Sequence, residues 1–560
     1  MLFKSQSPNI NLPKDRTLWS WLFETCLSKF DSNDLQGYTD VETKQHISYS
    51  QLRTYTEQLS TTLARSYGLR EGDVVAIYNK NSIWYPVIAL AAIRIGAVAC
   101  GISPEYTVDE LTYALNLIKA KMLFTASHLK ETASKAATVV GINKDAVMHM
   151  GGERDNMKGI ENLIRDATSL NDSVLAKPFQ IPKDKTSHEL CAYLCLSSGT
   201  TGLSKAVMIS HANVVAQCLQ VQQITPKDHT KVLAALPFYH ITGIVHEVHL
   251  PIVLNAHVYV LPTYNLDTLL RTVSKNKIQE LLIVPPILTR LVQDSETVSK
   301  YDLTAVKRFS SGAAPLPGEV LKLLEQRFPG TGFKQGYGMT ETCSAITSHP
   351  PSKYAYKYAG SVGMLVGSTE AKIVNPNTGE EYGTGKSGEI WARGPQVAMG
   401  YLENPSATAD TFDKDGFIHT GDIGEFDEEG LLTITDRMKE MIKVKGVGIA
   451  PTELENLLLG HPSVSDVAVC GIPDERAGER PKAFVVLQPS VSQSPIEVAR
   501  NLLEYTKSKK ARHKWIREVE ILNEIPKSAA GKILRRKLRE KHGKASGNII
   551  VRDQPAIAKL

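Results

Sequence analysis

Leu196-Ser197-Ser198-Gly199-Thr200-Thr201-Gly202-Leu203-Ser204-Lys205-Ala206-Val207 is the stretch on which the reading of this chain turns. Between Ser197 and Gly202 it holds four hydroxyl side chains and two glycines, and a lysine follows. The residues just before it, 190–196, run Leu-Cys-Ala-Tyr-Leu-Cys-Leu and read as a buried strand. A strand that enters a Gly/Ser/Thr turn can expose successive backbone N–H groups, because glycine tolerates positive φ. Such a concavity, with hydroxyl donors and a cation beside it, suits a polyphosphate. The spacing is not that of a Walker A loop: Lys205 follows Gly202 by three residues instead of one.

Working outward, 560 residues are too many for one core, so two or more domains are expected. An apolar content of 42% and a charged content of 22% are ordinary for a soluble globular protein. The net charge of +5 conceals an asymmetry: residues 501–550 carry 14 Lys/Arg against 5 Asp/Glu. A small basic C-terminal part therefore faces a larger, mildly acidic one, and a phosphate-rich partner fits the basic part. Its aromatic residues are few, Tyr505 and Trp515, so no base-stacking platform for nucleic acid is expected. Seven scattered cysteines argue for reduced thiols in an intracellular compartment. Residues 1–12 are polar and interrupted, so no secretory leader is expected. The longest apolar run, 85–102, is broken by Arg94 and by glycines, and reads as a buried helix entering a strand, not as a transmembrane segment. The final Ala558-Lys559-Leu560 is a one-residue variant of the Ser-Lys-Leu peroxisomal address, which makes the peroxisomal import receptor an expected partner and the peroxisome the expected location.

Along the chain, helical and strand spacings alternate over residues 49–120, the pattern of an α/β sheet with helices outside. Residues 129–188 are weakly patterned and charged, and read as a variable surface region. Beyond the hydroxyl-rich loop, a strand at 232–237 leads into Phe238-Tyr239-His240-Ile241-Thr242-Gly243, which places His240 after a strand end, where α/β proteins hold ligands. Strands at 280–284, ending in Pro285-Pro286, and at 306–310 follow. The second runs into Ser311-Gly312-Ala313-Ala314-Pro315-Leu316, and Phe333-Lys334 leads into Gln335-Gly336-Tyr337-Gly338-Met339-Thr340-Glu341. Tyr337 between two glycines can offer a flat face to a base, and Glu341 supplies the single carboxylate that Mg²⁺ needs when water and phosphate complete its shell. Three small-residue turns at strand ends jointly point to a nucleotide triphosphate cleft. Residues 359–435 read as a β subdomain, in which Asp422 can accept hydrogen bonds from the vicinal hydroxyls of a ribose. The charged break at Asp436-Arg437-Met438-Lys439 marks a domain boundary. The expected architecture is therefore an α/β fold: an N-terminal domain over 1–436, a small mobile α+β C-terminal domain over 437–543, and an exposed tail over 544–560. Lys532, after Ser528-Ala529-Ala530-Gly531, is expected on a mobile, exposed loop.

The motifs at Ser197 to Lys205, Leu236 to His240, Gly312 to Leu316, Gln335 to Glu341, Thr420-Gly421-Asp422, Asp436-Arg437, Lys443 to Gly446, Ala450 to Glu455 and Pro526 to Arg536 stand in one order. In that order the chain resembles the adenylate-forming superfamily of acyl-CoA synthetases, closest to the 4-coumarate–CoA ligase and luciferase-like branch. The resemblance spans residues 15–543. It implies a two-step ligase in which a carboxylic acid and ATP give acyl-AMP and pyrophosphate, and CoA then gives the thioester and AMP. It also implies roles. Ser197, Ser198, Gly199, Thr200, Thr201, Gly202 and Lys205 would hold the β- and γ-phosphates, and Glu341 the Mg²⁺. Gly312, Ala313, Ala314 and Tyr337 would flank adenine, with Gln335, Gly336, Gly338 and Thr340 completing the nucleotide turn. Asp422 and Arg437 would bind ribose. Lys532 would bridge carboxylate and α-phosphate, with His240, Thr200 and Glu341 in the same catalytic group. Lys439 sits at the hinge, and Lys443, Lys445 and Gly446 would serve AMP and CoA. His240, Thr242, Ala313, Gly336 and Met339 would line the acid's pocket. The chain departs from the family at Lys445-Gly446-Val447-Gly448, where a glutamine often stands in place of Gly448, and at Thr242, where related aryl ligases carry tyrosine. The missing ring implies a wider pocket, for an aryl or medium-chain apolar acid. A luciferase-like oxygenase, or a ligase that passes acyl-AMP to a carrier protein, is the alternative within the same superfamily.

Overall fold

The computed structural model describes residues 1–169, 175–197, 204–312, 316, 318–438, 440–444, 447–474, 477–528, 531–541 and 547–553. Ser198, Gly199, Thr200, Thr201, Gly202, Ala313, Ala314, Lys439, Lys445, Gly446 and Ala558-Lys559-Leu560 lie outside the described residues.

The helices start where the sequence offers caps. Ser48 opens Tyr49–Ser66, Thr107 opens Val108–Leu117, Ser210 opens His211–Gln223 and Ser494 opens Pro495–Lys509, each as a reciprocal capping box with the residue three places on. Strand Val74–Tyr78 is buried at every position, which is why it reads as an unbroken apolar run: both of its faces are covered. It lies inside a seven-stranded sheet ordered Gly400–Tyr401, Lys205–Ser210, Cys191–Ser197, Val98–Ile102, Val74–Tyr78, Ala120–Thr125, Val147–His149. From Cys191–Ser197 onward the pairings are parallel.

A second sheet runs Glu280–Leu282, Arg308–Ser311, Gly332–Tyr337, Thr347–Ser348, Met364–Leu365, its first two pairings parallel. A four-stranded sheet of Lys231–Ala234, His257–Val260, Gly37–Asp40 and His46–Ser48 contributes to the same large domain. The glycine-rich region forms an antiparallel sheet through Leu2–Lys4, Glu370–Val374, Gly388–Arg393, Ile418–Phe426 and Leu432–Arg437. A smaller C-terminal domain follows, with a sheet of Val447–Ile449, Ile442–Val444, Gly478–Leu487, Glu518–Ile521 and Ile550–Arg552, and with Val464–Asp474 paired to Gly478–Leu487. Its core centres on Leu454, Val467, Val485, Leu502 and Val519. The fold is thus mixed α/β with a large N-terminal and a small C-terminal domain. Among the described residues no helix is long and apolar enough to cross a membrane.

Four expectations need correction. Residues 129–188 are not mere surface: helix Lys130–Val140, strand Val147–His149 and helix Ile160–Ser169 lie there, and Met148, Ile160 and Leu163 join the main core. Pro285-Pro286 does not close a strand but opens helix Pro285–Gln293, since proline's missing N–H costs nothing in a first helical turn. Residues 547–553 are not a free tail. Strand Ile550–Arg552 pairs with Glu518–Ile521, and Asp553 accepts from Lys507 at 2.7 Å and from Arg517 at 2.5 Å. Lys532, the fourth, is treated below.

Candidate active site

The strand ends of the large domain converge, as expected for ligand sites in α/β sheets. Ser197 closes strand Cys191–Ser197 and is register partner to Lys205, so the two ends of the hydroxyl-rich loop are pinned side by side. Glu341 occupies the turn Thr340–Thr342 that follows Gly332–Tyr337. It is only 6% exposed. Its Oε1 accepts from Ser197 Oγ at 3.1 Å and from Tyr401 Oη at 2.9 Å. Lys205 Nζ lies 4.6 Å from the centroid of the Tyr401 ring, a cation–π arrangement. Burial, and then the Glu341 charge, push the Tyr401 phenol above its ordinary range. Tyr401 was not anticipated from sequence, because nothing in Gly400-Tyr401 marks it as more than a strand residue. Among the described residues both bonds to Glu341 go to Oε1. One carboxylate beside phosphate oxygens is a donor set that fits Mg²⁺.

Gly338 is required by a close approach: a Cβ there would sit 1.6 Å from the Ser344 carbonyl oxygen. Next to it, Tyr337 Oη donates to Asp422 Oδ2 at 2.8 Å, and Arg437 Nε pairs with Asp422 Oδ1 at 2.8 Å. Asp422 and Arg437 are also register partners in adjacent strands. Burial raises the Asp422 carboxyl above its ordinary value, although Arg437, Tyr337 and Lys532 oppose that shift. Gln335 lies at the base of the same turn. It is buried, its side-chain amide donates to the Ala359 carbonyl, and its backbone N–H donates to His349 Nδ1 at 2.9 Å. The side chain is a brace beneath the turn.

Lys532 reaches this group from the small domain, and it is not on an exposed loop. Residues Lys527 and Ile533 form an antiparallel bridge, the Ser528 N–H donates to the Lys532 carbonyl at 2.8 Å, and the Lys532 N–H donates to Ser528 Oγ at 3.2 Å. Lys532 is half-buried. Burial first, then the neighbouring Arg437, lower its pKa, while Glu440 and Asp422 oppose. Arg535 holds the base of this loop: its guanidinium binds Glu440 at 2.6 Å, Glu455 at 2.7 Å and the Val469 carbonyl at 3.2 Å. Glu440 and Arg535 carry no sequence signature, since their partners lie far apart in the chain. Lys443 is exposed on Ile442–Val444, and among the described residues its side chain touches none of these groups.

On the acid side, His240 precedes the short helix Ile241–Gly243, which passes into a π-helical turn over Ile244–His249. Burial lowers His240 to about 4, so its imidazole is neutral at physiological pH. Gly243 admits no side chain, since a Cβ would meet the Pro237 carbonyl oxygen at 2.2 Å. Thr242, Gly336 and Met339 are half-buried, and Gly312 lies beside Gly336, its Cβ position 3.4 Å from the Gly336 carbonyl oxygen.

A large α/β body with a buried acid, hydroxyls and a lysine at its strand ends, closed by a cationic small domain, is the build of a nucleotide-dependent ligase. The AMP-binding enzyme family matches residues 32–402, and the AMP-binding enzyme C-terminal domain matches residues 453–532. The chain belongs to this family and is an AMP-forming acyl-CoA synthetase, of a family that uses ATP, Mg²⁺ and CoA. It is 32% identical over 550 residues to a probable CoA ligase of Humulus lupulus, covering 96% of this chain and 95% of that one. It is 32% identical over 506 residues to the peroxisomal OPC-8:0-CoA ligase of Arabidopsis thaliana, covering 90% of each. Among solved structures, ATP-bound MatB from Rhodopseudomonas palustris matches with a TM-score of 0.81 and 26% identity over 94% of this chain and 99% of that one, and the apo structure of MatB from the same organism matches with 0.69.

Proposed function

We propose that this enzyme activates an aryl or medium-chain acid, with Lys532 as the group that joins the acid to the nucleotide. The observation that carries this reading is the seat of the Lys532 loop: the neighbouring Gly531 lies against Pro286 and Val284 of the large domain, and the amine feels the charges of Asp422 and Arg437.

Two anions, a carboxylate and a triphosphate, must meet, so the work of the site is charge neutralisation and positioning. Ser197 and Lys205, with Ser198, Gly199, Thr200, Thr201 and Gly202 between them, hold the β- and γ-phosphates. Glu341 would hold Mg²⁺, which would neutralise phosphate charge. Tyr337, with Gly312, Ala313 and Ala314, flanks the adenine. Asp422 and Arg437 take the ribose, and Asp422 is held as an acceptor by its bond to Arg437. His240 is neutral and closes the acid's end of the cleft. Thr242, Gly336 and Met339 leave a wide wall for the acyl body. Lys532 brings the carboxylate to the α-phosphate, and after pyrophosphate leaves, rotation about Lys439 would bring Lys443, Lys445 and Gly446 to serve CoA. ATP–pyrophosphate exchange across a panel of acids, followed by thioester analysis with free CoA, tests this. Exchange without thioester would favour a carrier-feeding ligase or an oxygenase.

We also propose a peroxisomal location addressed by Ala558-Lys559-Leu560. The relative from Arabidopsis thaliana named as peroxisomal supports this. Removing the three residues from a tagged protein should release it to the cytosol, and unchanged organelle location would refute the address.

A further inference from the structure

The hold on Asp422 extends beyond the groups that touch its carboxylate. Strands Gly388–Arg393 and Ile418–Phe426 are antiparallel neighbours whose register slips at one place. Glu389 stands opposite Ile423 and Trp391 opposite His419, so the three residues Thr420, Gly421 and Asp422 stand opposite the single Ile390. A bulge of this kind interrupts the ladder and re-aims a side chain, and bulges are over-represented next to active sites. Here the side chain it carries is that of Asp422. The extra length has to be fixed by something other than the ladder.

Gly421, the middle residue, does not fix itself. Its φ is +69, and a Cβ built on it would meet nothing within 4 Å. Glycine is used here for its backbone angle and not for lack of room, and it adopts other angles about as readily. Hydrogen bonds supply the restraint. Glu389 Oε1 accepts from the Gly421 N–H at 3.1 Å. Thr420 Oγ1 donates to the Ile390 carbonyl at 2.7 Å and accepts from the Asp422 N–H at 3.2 Å. The Gly421 carbonyl accepts from the Met438 N–H at 2.9 Å.

Glu389 is itself held. It is 8% exposed, and its Oε2 accepts from Trp391 Nε1 at 2.9 Å. The Trp391 ring stacks on His419, with centroids 3.7 Å and planes 10° apart. Strand residues two apart share a face, so Glu389 and Trp391 lie on one side of the sheet. Ile390 between them joins the core on the other side, with Ile373 and Ile418. The carboxylate of Glu389 thus takes one donor from the bulge and one from a fixed indole. It reaches Asp422 only through the backbone of Gly421.

Resting on the ligase reading, in which Asp422 takes the ribose, we propose that Glu389 is a positioning residue for nucleotide recognition. It fixes the Gly421 backbone, and through it the direction in which Asp422 meets the two ribose hydroxyls. Trp391 is its support. Without the Glu389 acceptor the Gly421 N–H loses its partner, the bulge is free to turn, and the ribose contact is spread over many orientations.

The test compares AMP with 2′,3′-dideoxy-AMP by calorimetry on the full chain, so that the readout is ribose preference and not turnover. The wild-type protein should bind AMP roughly tenfold or more tighter. Glu389→Ala should cut that preference by about threefold or more, with affinity for the dideoxy nucleotide close to wild type. A merely structural defect would weaken both nucleotides alike. Glu389→Gln has one acceptor for two donors and should fall between, and adding Trp391→Phe, which removes the second donor, should restore most of the preference. In an Asp422→Asn background, Glu389→Ala should change the preference little further. An unchanged preference in Glu389→Ala, or equal weakening of both nucleotides, would overturn the proposal and leave the ligase reading in place. Should Glu389→Ala not fold, the other pair decides: no loss in Glu389→Gln, or no recovery on adding Trp391→Phe, overturns it equally. A wild-type protein without ribose preference would remove the role of Asp422 and the proposal together, and failure to bind AMP at all would remove the ligase reading as well.

Discussion

Gly531 rests against Pro286: a Cβ built on Gly531 would lie 3.2 Å from Pro286 Cδ and 3.4 Å from Val284 Cβ. Gly531 also has φ +79, a left-handed conformation that costs an L side chain about 1–2 kcal/mol. The small domain's Lys532 loop is therefore seated on the corner where strand Glu280–Leu282 gives way to helix Pro285–Gln293. Gly531→Ala strains the turn and pushes on that corner at once. We expect adenylation, read by ATP–pyrophosphate exchange, to fall roughly tenfold, with little change in the unfolding midpoint. Full exchange activity in the variant would show that the seat is not needed for the first half-reaction.

Lys532→Ala separates the two half-reactions. On the proposed reading the amine joins the acid to the nucleotide in the first half-reaction, so its loss should stop acyl-AMP formation. Thioester formation from supplied acyl-AMP should continue at near wild-type rate. Equal loss of both would contradict a lysine that serves one of two lid positions.

The same amine sets a pH limit. Burial favours its neutral form, so Lys532 loses its proton at a lower pH than an ordinary lysine, whose value is about 10.4. Adenylation that needs the cation should then show an alkaline limb in kcat/KM below that of a free lysine. Below its folded pKa the charged amine is carried at a cost to stability, and that cost is relieved as pH rises through the folded value. Lys532→Arg, which stays charged, should move the limb out of the accessible range even where its rate is low. A profile of unchanged shape in that variant would assign the limb to another group.

How far the sequence revealed this site depends on whether a residue's role is local. Glu341, Tyr337 and Asp422 stand in turns of small residues at strand ends, and there the chain itself shows that something must lie close to the backbone. Lys205 could be placed for the same reason, beside hydroxyls and glycines. Arg535, Glu440 and Tyr401 act across separations of dozens to hundreds of residues, and no local spacing marks a contact made only after folding. Lys532 shows the limit from the other side. The Ser-Ala-Ala-Gly turn was legible, but its exposure was misjudged, because the surface that covers it belongs to another domain. The weak pattern over residues 129–188 misled for a related reason: helix Ile160–Ser169 buries one stripe only and is polar elsewhere.

Tyr337 and Asp422 offer a finer test of the nucleotide end. Tyr337→Phe keeps the ring and removes one donor from a buried carboxylate, a change worth about 1 kcal/mol. The KM for ATP should rise several-fold with kcat nearly kept. Asp422→Asn also weakens the partner of Arg437 and should raise KM further. A larger effect from Tyr337→Phe than from Asp422→Asn would mean that the hydroxyl acts on the ligand directly and not through Asp422.

Arg535 tests the lid's own integrity. Its side chain is 9% exposed and binds Glu440, which is 14% exposed, and Glu455, which is 7% exposed. Burial already pushes the Glu455 carboxyl upward, and Arg535 is the first influence that opposes it. Arg535→Met therefore strands a buried carboxylate, and removing one partner of such a pair costs about 3–5 kcal/mol. Denaturant unfolding should show the small domain losing most of that amount while the large domain's transition stays in place. Arg535→Lys should not rescue it, because a single ammonium cannot serve two carboxylates and the Val469 carbonyl at once. Adding Glu455→Gln to Arg535→Met removes the stranded charge and should recover part of the loss. If the double variant is no more stable than Arg535→Met alone, packing and not the buried charge holds the lid together.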